Sequence, residues 1–271
     1  MRQSSPATAR GGYKAHKDHR AVDDKRGVIL ATQATSAAVT DEGMLPSVLS
    51  EAILRQGVVP EGVAADAIYG TVDNYRSLNG MGIAAYIPRQ RPSSRQGRFS
   101  KEHFTYLPES DCYRCPAGEL LKATSKKQDG FKIYRGSFPV CRACLLHDQC
   151  AGGKSPREVQ RHVDERYVEE ALAKRDTPAC QRARKRRMTV IEGSFGEAKQ
   201  FCAHDRARWR GRFKMQTQCY LVAAVQNLKK LLTYAWKQTT SGAGICLVSP
   251  IFDNSSSFYD ILGFSGCSRN L

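Results

Sequence analysis

The stretch RARKRRMTVIEGSFGEAK, residues 182–199, places one carboxylate, Glu192, directly after a run of cationic side chains. On a helix, Glu192 and Lys199 share one face because they are seven residues apart. A lone acid among cations suits metal-assisted phosphodiester chemistry, in which the acid holds a divalent ion and the cations hold phosphates. The alternative is a solvated basic helix with one incidental glutamate, since charge runs are usually solvated faces.

The composition of the whole chain is strongly basic. Its 271 residues include 42 Lys and Arg against 26 Asp and Glu, which gives a net charge of +16 and predicts a polyanionic partner. A membrane is disfavoured because no apolar stretch is long enough to span a bilayer, and the polar start lacks the apolar core of a signal peptide. Ten cysteines then favour metal ligands and buried thiols over disulfides. We therefore expect a cytoplasmic protein.

The order of the predicted elements before residue 100 is that of an α/β domain. Residues 13–23 and 27–35 are predicted strands joined by a tight turn, a helix follows over 41–56, and a short strand ends at Asp66. Active sites of open α/β sheets gather at the carboxyl ends of strands, which makes Asp66 a candidate catalytic acid. The alternative is that Asp66 only caps the following helix.

A cysteine-rich stretch follows a basic linker at residues 89–100. It contains the pairs Cys112 with Cys115 and Cys141 with Cys144, followed by Cys150. Two such CxxC pairs are typical of a zinc ribbon, because thiolates in a tight turn can close on one tetrahedral ion. The alternative is a set of unmetallated thiols, and five candidates leave the choice of four ligands open.

Cationic and aromatic side chains alternate again after the opening stretch. The cations are Arg206, Arg208, Arg210, Arg212 and Lys214, and the aromatics among them are Trp209 and Phe213. This pattern suits phosphate contacts combined with base stacking. It also suits a connecting loop whose aromatics anchor it to the core, and the two interpretations are compatible. Residues 216–236 are predicted as a long amphipathic helix with Leu221, Val222, Val225, Leu228, Leu231 and Leu232 on one side.

Taken in this order, the segments resemble the DDE transposases of bacterial insertion sequences. The resemblance is closest to the branch with a cysteine-bearing insertion between the second and third catalytic acids. It spans residues 13–236 and rests on GYKAHKDHRAVDDKRGVI, AADAIYG, the CxxC pairs, RMTVIEGSFGEAK, RARWRGRFK and QNLKKL.

The resemblance implies a ribonuclease-H-like fold in which two Asp and one Glu hold two Mg²⁺ or Mn²⁺ ions. By position, Asp66 resembles the second acid and Glu192 the third, while Arg187 and Lys199 resemble the cations that flank the Glu. A tyrosine that often precedes the arginine by three residues is replaced here by Arg184. The first Asp of this branch lies on a strand upstream of residue 13, so the resemblance implies an N-terminally truncated copy. Asp18 and Asp23 on the hairpin would be poor substitutes.

The predicted organisation is α/β, with a mixed sheet flanked by helices and a zinc-ribbon-like insertion. We expect a disordered start at residues 1–12, the first part of the ribonuclease-H-like domain at 13–100, and the cysteine-rich insertion at 101–155. The helical second part of that domain would follow at 156–240 and an irregular tail at 241–271. A structural Zn²⁺ in the insertion is predicted in addition to the catalytic ions.

The predicted function is DNA strand cleavage and strand transfer at the ends of the element, by a homo-oligomer associated with the nucleoid. The predicted DNA contacts are Arg184, Lys185, Arg186, Arg206, Arg208, Arg210, Arg212 and Lys214. Two alternatives stand beside it. One is a catalytically dead remnant that still binds DNA. The other is a zinc-ribbon nucleic-acid-binding protein in which Asp66 and Glu192 lie far apart.

Overall fold

The computed structural model describes residues 16–89, 98–128, 130–240 and 259–267. The chain divides into two compact units. The first comprises Met1–Gln90 and Glu170–Leu271, and the second comprises Arg91–Glu169, which includes the predicted cysteine-rich insertion. The predicted disordered start at 1–12 lies outside the described residues. No helix in the described ranges combines the length and apolar character needed to cross a membrane.

The first unit is a mixed α/β structure built on one five-stranded sheet. Its strands are β1 (His16–Asp23), β2 (Ile29–Ser36), β3 (Gly62–Ala64), β4 (Ala84–Ala85) and β10 (Tyr259–Cys267). They lie in the order β2-β1-β10-β3-β4. β1 is antiparallel to both β2 and β10, whereas β10, β3 and β4 run parallel. The α/β class predicted from the sequence is thus confirmed.

Helices cover the sheet on both faces. They are α1 (Leu45–Gln56), α2 (Val72–Gly80), α6 (Pro178–Cys202) and α7 (Arg212–Thr240), and α5 (Glu165–Ala173) spans the boundary between the units. On β2, Gln33 hydrogen-bonds to Glu51 of α1 at 2.6 Å, whereas Ala34 packs on Met215 and Cys219 of α7. Successive strand residues point to opposite faces, so α1 and α7 cover opposite sides of the sheet.

α1 shows how closely the local sequence specifies an element. Its buried residues, Leu45, Val48, Leu49 and Ala52, recur at helical spacing. A proline in the first turn favours a start at Leu45, so residues 41–44 form a 3₁₀ turn ahead of the α-helix. Gly57 ends the helix in the left-handed conformation, with φ at 67°, and its N–H donates to the Ile53 carbonyl.

The tail contains a strand that the sequence analysis did not predict. Residues 241–271 were expected to be irregular, but β10 lies in the middle of the sheet between β1 and β3. Its backbone bonds antiparallel to β1 on one side and parallel to β3 on the other. Those partners are more than 190 residues distant along the chain, so no local pattern could reveal them.

Of the apolar residues predicted on one side of α7, only Val222 is buried, while the other five are 44–62% exposed. The buried residues of this helix are Met215, Gln218, Cys219, Val222, Ala223 and Gln226. Gln226 belongs to the core because its amide donates to the Ser194 carbonyl of α6 at 2.8 Å and its oxygen accepts from Arg20. Polar bonds to α6 and β1 thus accompany apolar packing on the buried face of this helix.

The second unit contains a five-stranded antiparallel sheet. Its strands are β5 (Thr105–Leu107), β6 (Cys112–Arg114), β7 (Leu120–Gln128), β8 (Phe131–Arg135) and β9 (Glu158–His162), in that order across the sheet. Phe104, Tyr113, Leu121, Tyr134 and Val159 form its core. Two short helices, α3 (Phe138–Ala143) and α4 (His147–Cys150), follow β8.

Candidate catalytic and DNA-binding site

Asp66 stands just beyond the carboxyl end of β3, as predicted. Its backbone is extended, with φ at −72° and ψ at 162°, and its side chain is exposed. The carboxylate accepts a hydrogen bond from the Ala67 N–H at 2.6 Å and so caps the 3₁₀ turn Ala67–Tyr69. The capping interpretation is therefore confirmed, and the exposed carboxylate retains further lone pairs for a ligand.

Glu192 lies on the outer surface of α6 and is exposed. Its neighbour Ile191 is 3% exposed and belongs to the same hydrophobic cluster as Ala64 of β3. In an extended chain, Asp66 points to the same face as Ala64, which is the face covered by α6. The fold thus brings the segments that carry the two acids into one region of the first unit. That their carboxylates share an ion stays a prediction.

Arg187 lies on the sheet-facing side of α6, one turn before Ile191, and is half-buried. Both it and Asp66 act on Tyr69, which is 2% exposed. Burial raises the pKa of Tyr69, the charges of Asp41 and Asp66 raise it further, and Arg187 lowers it. Such charge effects weaken with distance, so Arg187 and Asp66 both act on the same phenol. That Arg187 holds a phosphate beside Asp66 stays a prediction.

Lys199 is exposed in the last turn of α6. It forms no ion pair with any carboxylate in the part of the chain that the structure describes. Its predicted role beside Glu192 stays a prediction.

Asp18 does not replace the first acid, because it belongs to a buried network. It is 1% exposed, and its carboxylate accepts from Arg20 at 2.8 Å, from Thr32 at 2.6 Å and bonds His204 Nε2 at 2.9 Å. Burial acts to raise the pKa of Asp18, but the Arg20 charge and the bonds to His204 and Thr32 lower it to about 2. The carboxylate is thus ionised, paired and closed to solvent.

Asp18, His204 and Cys219 bring their ligand atoms within 4.8 Å of one another, the spacing of a metal site. The surroundings do not suit a dication. The Arg20 guanidinium lies 2.8 Å from the Asp18 oxygen that would bind it. Burial also raises the pKa of the Cys219 thiol strongly, and a protonated thiol is a poor ligand. We therefore assign the cluster a structural role.

Asp23 is equally unsuited to be the first acid. It is 6% exposed at the end of β1, and its carboxylate accepts the Arg26 N–H at 2.6 Å inside the hairpin turn. On β10, the parallel register pairs Ile261 with Ala64, so Gly263 is level with Asp66. The acid of that strand, Asp260, is paired with Val63, three residues before Asp66. The described strands therefore place no further carboxylate at the level of Asp66.

The predicted DNA-contacting cations are exposed. They are Arg184, Lys185 and Arg186 on α6 and Arg206, Arg208, Arg210, Arg212 and Lys214 on the loop before α7 and its first turn. Arg186 differs from the others because it pairs with Asp24 at 2.8 Å. Gln218 holds the loop by donating to the Arg206 carbonyl at 2.7 Å and accepting from the Arg208 N–H at 2.9 Å. The loop is thus anchored through its backbone while its guanidinium groups face solvent.

The two aromatic residues among these cations differ in exposure. Trp209 is 47% exposed and Phe213 is 83% exposed. The backbone bonds to Gln218 anchor the loop, and the ring of Phe213 lies largely in solvent. Exposed rings beside exposed arginines are available for stacking on bases.

The sequence analysis did not identify the buried residues that connect β1 to the loop after α6 and to α7. Arg20, His204 and Gln226 are all less than 3% exposed and connect β1, the loop after α6, and α7. The signal available was the run HKDHRAVD, in which Asp18 and Arg20 lie on one face of a predicted strand. Charged side chains are almost never fully buried unless they are paired.

The first unit is an α/β structure with two exposed acids, Asp66 and Glu192, and two clusters of exposed cations. Residues 110–232 match the family described as transposase DDE domain, and this match supports a DDE transposase. The matched segment contains the cysteine pairs, Glu192 and both basic clusters. No curated protein and no solved structure shows significant similarity to the chain.

Proposed function

We propose that the chain acts on DNA as a transposase, with Asp66 and Glu192 as two carboxylates of a site for strand cleavage and strand transfer. The packing of α6 on β3 carries the proposal. It places Ile191, next to Glu192, and Ala64, two residues before Asp66, in one cluster. Arg187 adds a cation near Asp66, so acid and phosphate-binding groups converge in one region.

The first unit also supports a ribonuclease-H-like fold. An antiparallel hairpin, β1 and β2, adjoins the parallel strands β10, β3 and β4, and helices cover both faces. In this arrangement β10 takes the central position. The open carboxyl edge of β3, where Asp66 lies, is the position that active sites of such sheets use.

The donor chemistry of the two acids suits Mg²⁺ or Mn²⁺, which prefer carboxylate oxygens. In this reaction class the ions activate the attacking hydroxyl and stabilise the leaving oxygen. Asp66 and Glu192 would hold the metal, and Arg187 would hold a phosphate oxygen. Because no third carboxylate lies at their level on the described strands, we propose that this chain binds DNA but does not cut it alone. A polypeptide that supplies the first acid would complete the site.

The partners proposed are the DNA ends of an insertion sequence, target DNA and a second copy of the chain, acting in the nucleoid. The exposed cations and rings support the DNA contact. An apolar stripe on α7 supports self-association. Leu221, Val225, Leu228 and Leu232 are 56–62% exposed and recur at the four–three–four spacing of a helix–helix seam.

The geometry can be tested by locating a bound ion. Iron(II) placed at a divalent site generates hydroxyl radicals that cleave nearby backbone. We expect cleavage both at residues 64–70 and at residues 190–194, suppressed by excess Mn²⁺ and lost in Asp66→Asn. The control Asp73→Asn removes an exposed acid on α2 that is paired with Arg76 and should change nothing. Cleavage at only one of the two segments would show that the acids do not share an ion.

Catalysis is expected to be absent from the isolated chain. Two ions must be fixed to hold the attacking and leaving oxygens in line, and two carboxylates provide too few ligands. In a nicking assay on the element's terminal DNA with Mn²⁺, the chain should give no product above that of Glu192→Gln. Cleavage that disappears in Glu192→Gln would mean that the site is complete and that a further acid serves it.

A further inference from the structure

Four of the five cysteines of the second unit surround one cavity. Cys115, Cys141, Cys144 and Cys150 line a space of about 50 Å³, and all four are free thiols.

Two backbone turns present these sulfurs to the cavity. In the first, the Gly118 N–H donates to the Cys115 carbonyl at 2.9 Å, and Cys115 N–H donates to Glu119 at 2.8 Å. Gly118 has φ at +89°, a conformation that favours glycine. In the second, the Cys144 N–H faces the Cys141 carbonyl at 3.4 Å at the end of α3. Both are compact turns of the kind that hold structural zinc.

Cys112 lies outside this group. It is 4% exposed on β6, its sulfur is 3.0 Å from the Ser110 hydroxyl, and it does not line the cavity. His147 also lines the cavity, but both of its ring nitrogens lie against backbone carbonyl oxygens. Its two ring nitrogens face the carbonyls of Cys141 and Gly153, each at 2.8 Å. The available donors are therefore four sulfurs.

Gly136 provides the room that Cys141 needs. A Cβ at this position would lie 2.7 Å from the Cys141 sulfur, closer than real contacts allow. The absence of a side chain at Gly136 therefore leaves space for the Cys141 sulfur.

We propose that Cys115, Cys141, Cys144 and Cys150 bind one zinc ion that joins the β6–β7 turn to α3 and α4. Each thiol gives its proton to solvent as its sulfur binds the metal. Among the residues that the structure describes, Asp18, His204 and Cys219 form the one group whose three ligand atoms lie within 4.8 Å of one another. The four cysteine sulfurs do not lie that close together. The sulfurs must therefore draw together on binding, to about 3.8 Å for a Zn–S length of about 2.3 Å.

Metal analysis of the purified full chain tests the proposal. We expect one zinc per chain, and the visible absorption of tetrahedral thiolate-bound cobalt after exchange with Co²⁺. Serine at Cys115, Cys141, Cys144 or Cys150 should abolish stoichiometric binding, whereas Cys112→Ser should retain it. A wild-type chain free of metal, or loss of zinc in Cys112→Ser with retention in Cys150→Ser, would overturn the assignment.

Alkylation of the wild-type chain keeps the test independent of how the variants fold. With zinc bound, the four sulfurs should be protected from iodoacetamide, and chelation should expose them together, as shown by peptide mass mapping. Cys202 of α6, half-buried in the first unit, is the internal control and should be unaffected by chelation. Labelling of the four cysteines that does not respond to chelation would contradict the proposal.

Discussion

Replacing Arg20 with methionine is expected to destabilise the first unit by about 3–5 kcal/mol, since it leaves the buried Asp18 carboxylate without its partner. Arg20 is 0% exposed and pairs with Asp18 at 2.8 Å. Its Nη1 also donates to Ser194 at 3.1 Å and Gln226 at 2.9 Å, and its guanidinium lies 4.6 Å from the Phe195 ring centre. This one side chain therefore links β1 to α6 and α7.

Urea denaturation of the full chain measures this effect as a shift in the midpoint. The double variant Arg20→Met with Asp18→Asn is the matched control, because it removes both charges and should recover part of the lost stability. A loss below about 1 kcal/mol in Arg20→Met would show that the network contributes little.

Asp18 and its neighbour on β1, His19, give the stability of the first unit a defined dependence on pH. The pKa of Asp18 is about 2 in the folded chain against an ordinary value of 3.8, so its contribution is fully present above pH 3.8. It is lost as pH falls through about 2. Burial lowers the pKa of His19 from 6.5 to about 4, so the unfolded chain takes up a proton in that interval that the folded chain does not. Stability should therefore decline first between pH 6.5 and 4, and His19→Gln should remove that first decline.

DNA affinity is expected to fall about 10³–10⁵-fold between about 50 and 200 mM salt, as for proteins that neutralise six to ten phosphates. Seven of the eight predicted contact residues are exposed and have no carboxylate partner among the side chains that the structure describes; Arg186 alone pairs with Asp24. Changing Arg208, Arg210 and Arg212 to alanine should weaken binding to all sequences. The slope of log affinity against log salt should become shallower by about 3.

The matched control removes the same charge elsewhere. Arg76, Arg135 and Arg175 are exposed, and each is paired with a nearby acid, Asp73, Glu158 and Asp176 respectively. Their triple alanine variant should keep most of the affinity and most of the slope. Fluorescence anisotropy over a salt series measures both. Equal effects of the two triple variants would mean that net charge, and not the loop before α7, binds DNA.

Much of the local structure followed from the sequence. The hairpin of β1 and β2, helix α1 with its Gly57 end, and the exposed cations before α7 all depend on spacing and turn chemistry within about twenty residues. The position of Asp66 at the end of β3 followed in the same way. The DDE transposase resemblance, carried by an ordered set of segments, agrees with the family match at residues 110–232.

Tertiary structure alone decided the rest. Strand β10 pairs with β1 and β3, which lie near the other end of the chain. The sequence of β10 has no turn signal or periodicity strong enough to predict a strand there. The CxxC spacing does not distinguish Cys112 from Cys115. The structure does, because the Cys112 sulfur on β6 lies against Ser110, whereas Cys115 lines the cavity.

The buried charges of β1 show most clearly what depends on tertiary structure. Asp18 and Arg20 lie on the predicted hairpin, and the sequence does not show that they are buried, yet both are at most 1% exposed. A strand accepts them in the core because His204, Ser194 and Gln226, each more than 170 residues away, satisfy their hydrogen bonds. Sequence periodicity reports which residues are apolar, whereas the cost of burying a charge depends on partners that only the folded chain brings together.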